Sequence, residues 1–350
     1  FLTRSIKRGL CLIMIEEQSI TGKGKTKSLL SEINSDNICD FASEKSSVIF
    51  FDNNYANLKL KNIKFSIFNN KEINIRVLIK AIVERIQLKY LNLSFKELYI
   101  RNYCISHNAK IAIGHNFNPY MFKFKKICPN VISIIYLHNR LYIDQINFIK
   151  KNYMNSEVDY FLVCDELHKK KLSKFIKSEF IVTGLLKNNE IVLKKEKKKY
   201  DIMFISEYRN LPEEHYYTKC HNYVIKTISN FCKKNNKKLC IAMNSSRIEK
   251  MKKLKFNNEI TYFRNLINDF NYEKVNSYKL ANKSKMSVCI ASNLGAELLS
   301  RKFKVFFLPL LQRYDKIYSS MYLLKQNNFS YFGYNKKKIF EKLNYLLNLE

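Results

Sequence analysis

Ser292-Asn293-Leu294-Gly295-Ala296-Glu297 follows the apolar run Val288-Cys289-Ile290-Ala291, and the junction holds the residue types that grip a phosphorylated ligand. Small polar residues end a strand, a glycine permits close backbone approach, and a helix opens with N–H groups that favour anions. Glu297, one turn into the helix, offers a carboxylate to ribose or sugar hydroxyls. The same residues also read as an ordinary capped helix start, with Ser292 or Asn293 as N-cap and Glu297 complementing the dipole. A second stretch, SITGKGKTKSLL (19–30), ends like a P-loop in Gly24-Lys25-Thr26. Ser19 stands where that motif needs glycine, Glu16 and Glu17 intrude where phosphates would sit, and Asp52 is the nearest acidic strand end for Mg²⁺. These departures favour a solvated basic loop over an ATPase.

The elements that must position such residues alternate between short apolar strands and amphipathic helices, the pattern of α/β units with parallel sheets. Strands are expected at 48–51, 64–68, 110–113, 131–137, 160–164 and 180–182. Helices are expected at 73–90 and over FKELYIRNYCISHN. LKKEKKKY (193–200) is a charge run without apolar periodicity and reads as an interdomain crossing. After it come a buried strand in YDIMFISEYR, a helix over 216–235, a strand in KLCIAMNS and a third strand in EITYFRN. Residues 277–310 read helix, strand, tight turn, helix, strand.

At 350 residues the chain suits two domains. The expected division is an unassigned segment 1–45, an N-terminal Rossmann-like acceptor domain 46–192, the basic linker 193–200 and a C-terminal Rossmann-like nucleotide-donor domain 201–350. No apolar run approaches the length a bilayer requires. The nine cysteines are scattered, with no C-x-x-C pair, as expected of reduced thiols in a cytoplasmic protein without a structural zinc site. A net charge of +32 points to nucleic acid, an anionic membrane surface or phosphorylated substrates. No nucleic-acid-binding module accompanies it, so no specific nucleic acid is expected. Abundant Lys, Asn, Ile, Phe and Tyr beside scarce Gly, Pro and Trp fit AT-rich coding, which accounts for part of the excess lysine.

SNLGAELLSRKFKVFFLP resembles the S-x-L-G-x-E segment and following strand of bacterial surface carbohydrate biosynthesis proteins and, more distantly, of CDP-glycerol glycerophosphotransferases. YDIMFISEYR is similar to the family's first strand of the second domain, which usually ends in Ser-Gln-x-Arg. FIVTGLLKNN resembles the strand and turn before it, and VIFFDNNYANLKL and EINIRVLIKAI resemble the family's opening strand and helix. The resemblance spans roughly residues 46–310. It implies a GT-B-like architecture, two Rossmann-like domains with parallel sheets facing across a cleft, the donor bound largely by the second and the acceptor by the first. Carried over, Ser206 and Arg209 join Ser292, Asn293, Gly295 and Glu297 around the donor, Arg209 suiting a diphosphate through its bidentate fork.

The chain departs from the family's Asp-Asn at GHNFNPY and from its Gln-Asn-Gly at YLHNR, which brings in His115, His138 and Arg140. His115 and His138 end adjacent expected strands and are the candidate general bases, with Asp144 and Asp165 as lesser candidates. His107, His168, His215 and His221 show no metal-ligand pairing. The leading expectation is a metal-independent glycosyltransferase-like enzyme. It would move a sugar or sugar-phosphate group from a nucleotide-activated donor, with no further cofactor, to a surface polysaccharide or lipid-linked precursor. It would be cytoplasmic, or peripheral on the inner face of the membrane, where anionic lipids are partners. The alternatives are a non-catalytic basic adaptor for nucleic acid or membrane and a GT-B-fold protein that has lost its chemistry.

Overall fold

The computed structural model describes residues 38–39, 46–51, 63–68, 73–141, 143–189, 191–193, 196–244, 250–309 and 328–349. SITGKGKTKSLL and Asp52 lie outside them. The chain forms two compact units, one running to His138 and resuming over Ile149–Leu186, the other comprising Asn139–Phe148 and Lys187–Glu350.

In the first unit, β1 (Ile38–Cys39) pairs in parallel with β4 (Ile73–Asn74). The main sheet holds β2 (Val48–Phe50), β3 (Ser66–Ile67), β5 (Ile111–His115), β6 (Ile132–Tyr136), β7 (Glu157–Val163) and β8 (Lys177–Val182). Its order is β3-β2-β5-β6-β7-β8, and every pair is parallel. Strand β3 lies on one side of β2 and the later strands on the other, so the topological switch falls between β2 and β5. The helices are α1 (Ile75–Ile86), α2 (Phe95–Ser106), α3 (Pro119–Phe122), α4 (Phe124–Ile127), α5 (Ile143–Tyr153), α6 (Glu166–Leu172) and α7 (Leu186–Asn189), with α5 and α7 spanning divisions between the units. Ser94 and Glu97 form a reciprocal capping box that starts α2. Helix α1 buries Val77, Leu78 and Ala81 and leaves Ile79 and Ile86 exposed.

The second unit holds β9 (Tyr200–Ile205), α8 (Tyr216–Lys234), β10 (Leu239–Ala242), α9 (Lys250–Leu266), α10 (Ser277–Asn282), β11 (Ser284–Cys289), α11 (Asn293–Ser300), β12 (Val305–Phe307) and α12 (Lys336–Asn348). The sheet order is β10-β9-β11-β12, all parallel, with single bridges from Cys240 to Asn271 and from Phe307 to Ser330 at its two edges. Counted in chain order with those bridges, the arrangement is the 3-2-1-4-5-6 of a dinucleotide-binding α/β sheet. Ile202, Met203 and Phe204 are each fully buried. Since successive strand residues face opposite ways, both faces of the sheet are covered. Val224, Ile228, Phe231, Phe263, Leu298, Ile339 and Leu343 join them in one core.

EITYFRN is part of α9 rather than a strand. Its β-branched and aromatic residues favour a strand by propensity, but alternation would place Arg264 beside Ile260. Helical spacing instead buries Glu259, Ile260, Phe263 and, just beyond the helix, Ile267 while exposing Arg264. In the expected crossing 193–200, Leu193 packs against the second unit's core, the Lys199 N–H donates to the Lys283 carbonyl at 2.7 Å, and Tyr200 opens β9.

The start of β9 is held by Glu273, which takes Lys199 Nζ at 2.7 Å, Lys283 Nζ at 2.8 Å and the Tyr200 hydroxyl at 2.8 Å. The two ammonium groups hold its carboxyl down to about 2. A carboxyl with a depressed folded pKa adds stability above its unfolded value of ~4.3, and that stability is lost as pH falls toward the folded value. Glu273→Gln should therefore lower the melting temperature at pH 6 and flatten its decline between roughly pH 4.5 and 2.5, as followed by circular dichroism. An unchanged acid slope would mean that Glu273 does not contribute to it.

Candidate functional site

The carboxyl ends of β9 and β11 flank the switch point of the second unit, where open α/β sheets take ligands. Glu207, two residues beyond β9, joins them. Its Oε1 accepts the N–H groups of Ala291 at 2.6 Å and Ile290 at 3.2 Å, and its Oε2 accepts the Tyr217 hydroxyl at 3.0 Å. Burial pushes the Glu207 carboxyl up, against the opposing pull of the Ala291 N–H, the Tyr217 hydroxyl and Arg209. The exposed Arg209 guanidinium lies 4.4 Å from the centre of the Tyr217 ring. Nothing local in the sequence signals this role for Glu207, because the Ile290 and Ala291 N–H groups lie more than eighty positions away.

Ser292 is the N-cap of α11, its Oγ accepting the Leu294 N–H at 3.2 Å. Asn293 opens the helix, and its Oδ1 is buried without a hydrogen-bond partner. An orphaned buried acceptor is rare in native structures and calls for an explanation. A Cβ on Gly295 would stand 2.4 Å from Cys289 Sγ and 3.1 Å from Phe307 Cε1, so this glycine serves helix-on-strand packing rather than approach to a ligand. Glu297 accepts a hydrogen bond from the Tyr278 hydroxyl. Ser206 turns toward β10, its Oγ donating to Glu259 and accepting the Tyr208 N–H at 3.2 Å, while the fully buried Glu259 also takes the Asn244 N–H at 3.0 Å. Ser292 and Asn293 thus sit with Glu207 at the strand ends, whereas the Ser206, Gly295 and Glu297 side positions meet protein groups.

In the first unit, His115 ends β5 and His138 follows the adjacent β6, their ring centres 6.3 Å apart, with Phe117 5.9 Å from His115 and 6.2 Å from His138. His115 Nδ1 accepts the Phe117 N–H at 2.9 Å, so the neutral ring carries its proton on Nε2. In that state His115 presents a donor rather than a base. The backbone N–H of His138 donates to Asn116 Oδ1 at 3.0 Å, which fixes its loop to the end of β5.

Three substitutions check this geometry. Gly295→Ala should destabilise the fold by roughly 1–3 kcal/mol through overpacking, and Cys289→Ala should restore part of the loss in chemical denaturation. Glu207→Gln keeps an oxygen for the Ala291 and Ile290 N–H groups and removes a buried charge. Because the folded carboxyl sits above its unfolded value, native stability falls as pH rises through the folded pKa, so the variant should gain ~2–4 °C in melting temperature at pH 8 and little near pH 4. A loss at pH 8 would show that the charge itself holds the loop.

Among curated proteins none matches this sequence. Among solved structures, UDP-GlcNAc 2-epimerase from Methanocaldococcus jannaschii in complex with UDP-GlcNAc and UDP is similar at 13% identity and a TM-score of 0.50, covering 87% of this chain and 93% of that one. UDP-GlcNAc 2-epimerase from Neisseria meningitidis follows at 10% identity and 0.46, covering 87% and 94%, and the wall teichoic acid polymerase TagF at 12% and 0.40, covering 98% and 91%. At such identity the first shows the fold, two Rossmann-like α/β units of GT-B type. Among the described residues no helix is long and apolar enough to cross a membrane. A family model described as "putative O-antigen biosynthesis protein" matches residues 140–340, more than half of the sequence. The chain belongs to this O-antigen biosynthesis family of surface carbohydrate proteins.

Proposed function

We propose that the protein is a glycosyltransferase-like enzyme that binds a nucleotide-activated donor at the switch point of its second unit. It passes the sugar or sugar-phosphate group to a surface polysaccharide or lipid-linked precursor. The observation that carries this reading is the buried, partnerless Oδ1 of Asn293 at the start of α11. An amide oxygen requires a donor, and a ribose hydroxyl or a base N–H supplies one where a phosphate does not. The phosphates fall to the Asn293 and Gly295 N–H groups of α11 and to Arg209, because the Ile290 and Ala291 N–H groups already bond Glu207 and the Leu294 N–H bonds Ser292 Oγ.

In the transfer, an acceptor hydroxyl oxygen attacks the donor's reacting centre and the bond to the leaving phosphate oxygen breaks. The nucleotide departs with the electron pair, and its growing charge is stabilised by those N–H groups and the guanidinium. His138 is assigned to the acceptor as the base that takes the hydroxyl proton, and His115, with its proton on Nε2, as a hydrogen-bond donor. Protein groups neutralise the leaving phosphate in this scheme, and no step in it requires a metal.

Thermal shift with a panel of nucleoside diphosphates and sugar nucleotides at fixed salt tests the reading, with UDP-GlcNAc included as the ligand of the similar epimerase structure. One nucleotide family should raise the melting temperature of the parent and of Lys25→Ala. Asn293→Ala should bind it about tenfold more weakly, ~1.4 kcal/mol, while keeping its circular dichroism spectrum. No shift with any nucleotide, or one lost only in Lys25→Ala, would remove the transferase reading in favour of a basic adaptor or the P-loop stretch.

A further inference from the structure

Whereas Cys104, Cys128, Cys220, Cys232, Cys240 and Cys289 are buried, Cys164 is half-exposed. It follows β7, and Asp165 and His168 lie beside it. Cys164 Sγ is 3.2 Å from His168 Nδ1 and 3.5 Å from Asp165 Oδ2, and His168 Nδ1 is 2.6 Å from Asp165 Oδ1. His168 is fully buried, while Cys164 and Asp165 open to solvent. Asp165 is also the N-cap of α6, its Oδ1 accepting the His168 N–H at 2.9 Å. That bond fixes the carboxylate so that Oδ2 is left on the side of the sulfur.

From this geometry we infer that Cys164, Asp165 and His168 form a binding site for a zinc-class divalent cation at the carboxyl end of β7. A thiolate, a carboxylate and an imidazole are the mixed donor set of a borderline ion rather than of Mg²⁺ or Ca²⁺, which take oxygens. Zn–S near ~2.3 Å and Zn–N near ~2.0 Å place tetrahedral donors roughly 3.3–3.7 Å apart. The sulfur–nitrogen and sulfur–oxygen separations are already close to that range. The 2.6 Å between Nδ1 and Oδ1 is a hydrogen-bond separation, shorter than that range, so the carboxylate oxygen assigned to the ion is Oδ2, which leaves Oδ1 on the helix N–H. On binding, the thiol gives its proton to solvent and the imidazole proton leaves Nδ1, where it bonds Asp165 Oδ1, for Nε2, so that sulfur, Nδ1 and Oδ2 each donate a lone pair, with a fourth position for water. Two anionic ligands balance the charge of the ion.

The basic run Lys169-Lys170-Lys171 on the next turn of α6 sharpens the selectivity. It repels hydrated cations held by charge alone and is outweighed only by ions that bond sulfur and nitrogen strongly. The ion would staple the end of β7 to the first turn of α6. The sequence contains the signal as Cys-Asp-x-x-His. It does not stand out there because the usual zinc patterns space their ligands in pairs.

Cobalt(II) added to the reduced full-length chain provides the test, because a thiolate ligand gives an intense near-ultraviolet charge-transfer band that surface carboxylates and imidazoles do not. One equivalent should produce the band and Zn²⁺ should bleach it. Cys164→Ser should abolish it, and Asp165→Asn, which keeps the helix cap, should weaken cobalt binding by roughly tenfold. Zn²⁺ should also raise the melting temperature of the parent and not of Cys164→Ser. Absence of the band in the parent would overturn the site, as would a band that persists in Cys164→Ser. Should Cys164→Ser fail to fold, an undiminished cobalt affinity in Asp165→Asn overturns it equally.

Discussion

The carboxylate of Glu207 governs the second unit. A charge taken out of water is costly unless it is hydrogen-bonded, and this one gathers the amides of Ile290 and Ala291 and the hydroxyl of Tyr217. In doing so it ties the end of β9 to the segment that leads from β11 into α11. Parallel α/β sheets ordinarily leave that position open, with its amides turned to the anion of a ligand. Here the chain supplies the anion itself. The segment leading into α11 is consequently held in place by the chain itself, and in the proposed reading a ligand phosphate must find its N–H groups one step further along the helix.

This constraint orders the residues around it. Gly295 lets α11 lie against Cys289 and Phe307, which sets the depth at which Asn293 enters the interior. Tyr278 holds Glu297. Ser206 closes the opposite side through Glu259, so the strand end is braced from β10 as well as from β11. So many fixed supports preorganise these strand ends, and for the proposed donor site little ordering entropy remains to oppose binding.

The parts legible in the sequence are those encoded by local pattern. Strand β9 is a short apolar run that buries both faces, β11 ends in the first half of the apolar run 288–291, and Ser292 sits where a cap must sit, so strand, turn and helix follow from spacing alone. EITYFRN misleads because its residues favour strands one by one while its burial repeats at three and four, and only the position of Arg264 separates the two readings. Glu207 is illegible for a different reason. A glutamate after a strand usually faces water, and its partners are set by the sheet order, which no window of sequence contains. The histidines fall between these cases: their places at the ends of β5 and β6 follow from strand positions, but the proton on His115 Nε2 depends on a backbone amide that only the folded loop supplies.

The net charge of +32 bears on how a ligand arrives rather than on which one stays. A positive field raises the encounter rate for every polyanion and falls off within a Debye length, ~8 Å at physiological ionic strength, so it treats all nucleoside diphosphates alike. Nor can the N–H groups of α11 distinguish one diphosphate from another. In the proposed reading, discrimination comes from a contact that reads something other than phosphate, and the second unit has one such group at the strand ends, the buried acceptor oxygen of Asn293. A ligand that leaves that oxygen unpaired forgoes a hydrogen bond the interior cannot otherwise provide, at roughly 1–3 kcal/mol, which is enough to separate donors that the charge attracts equally.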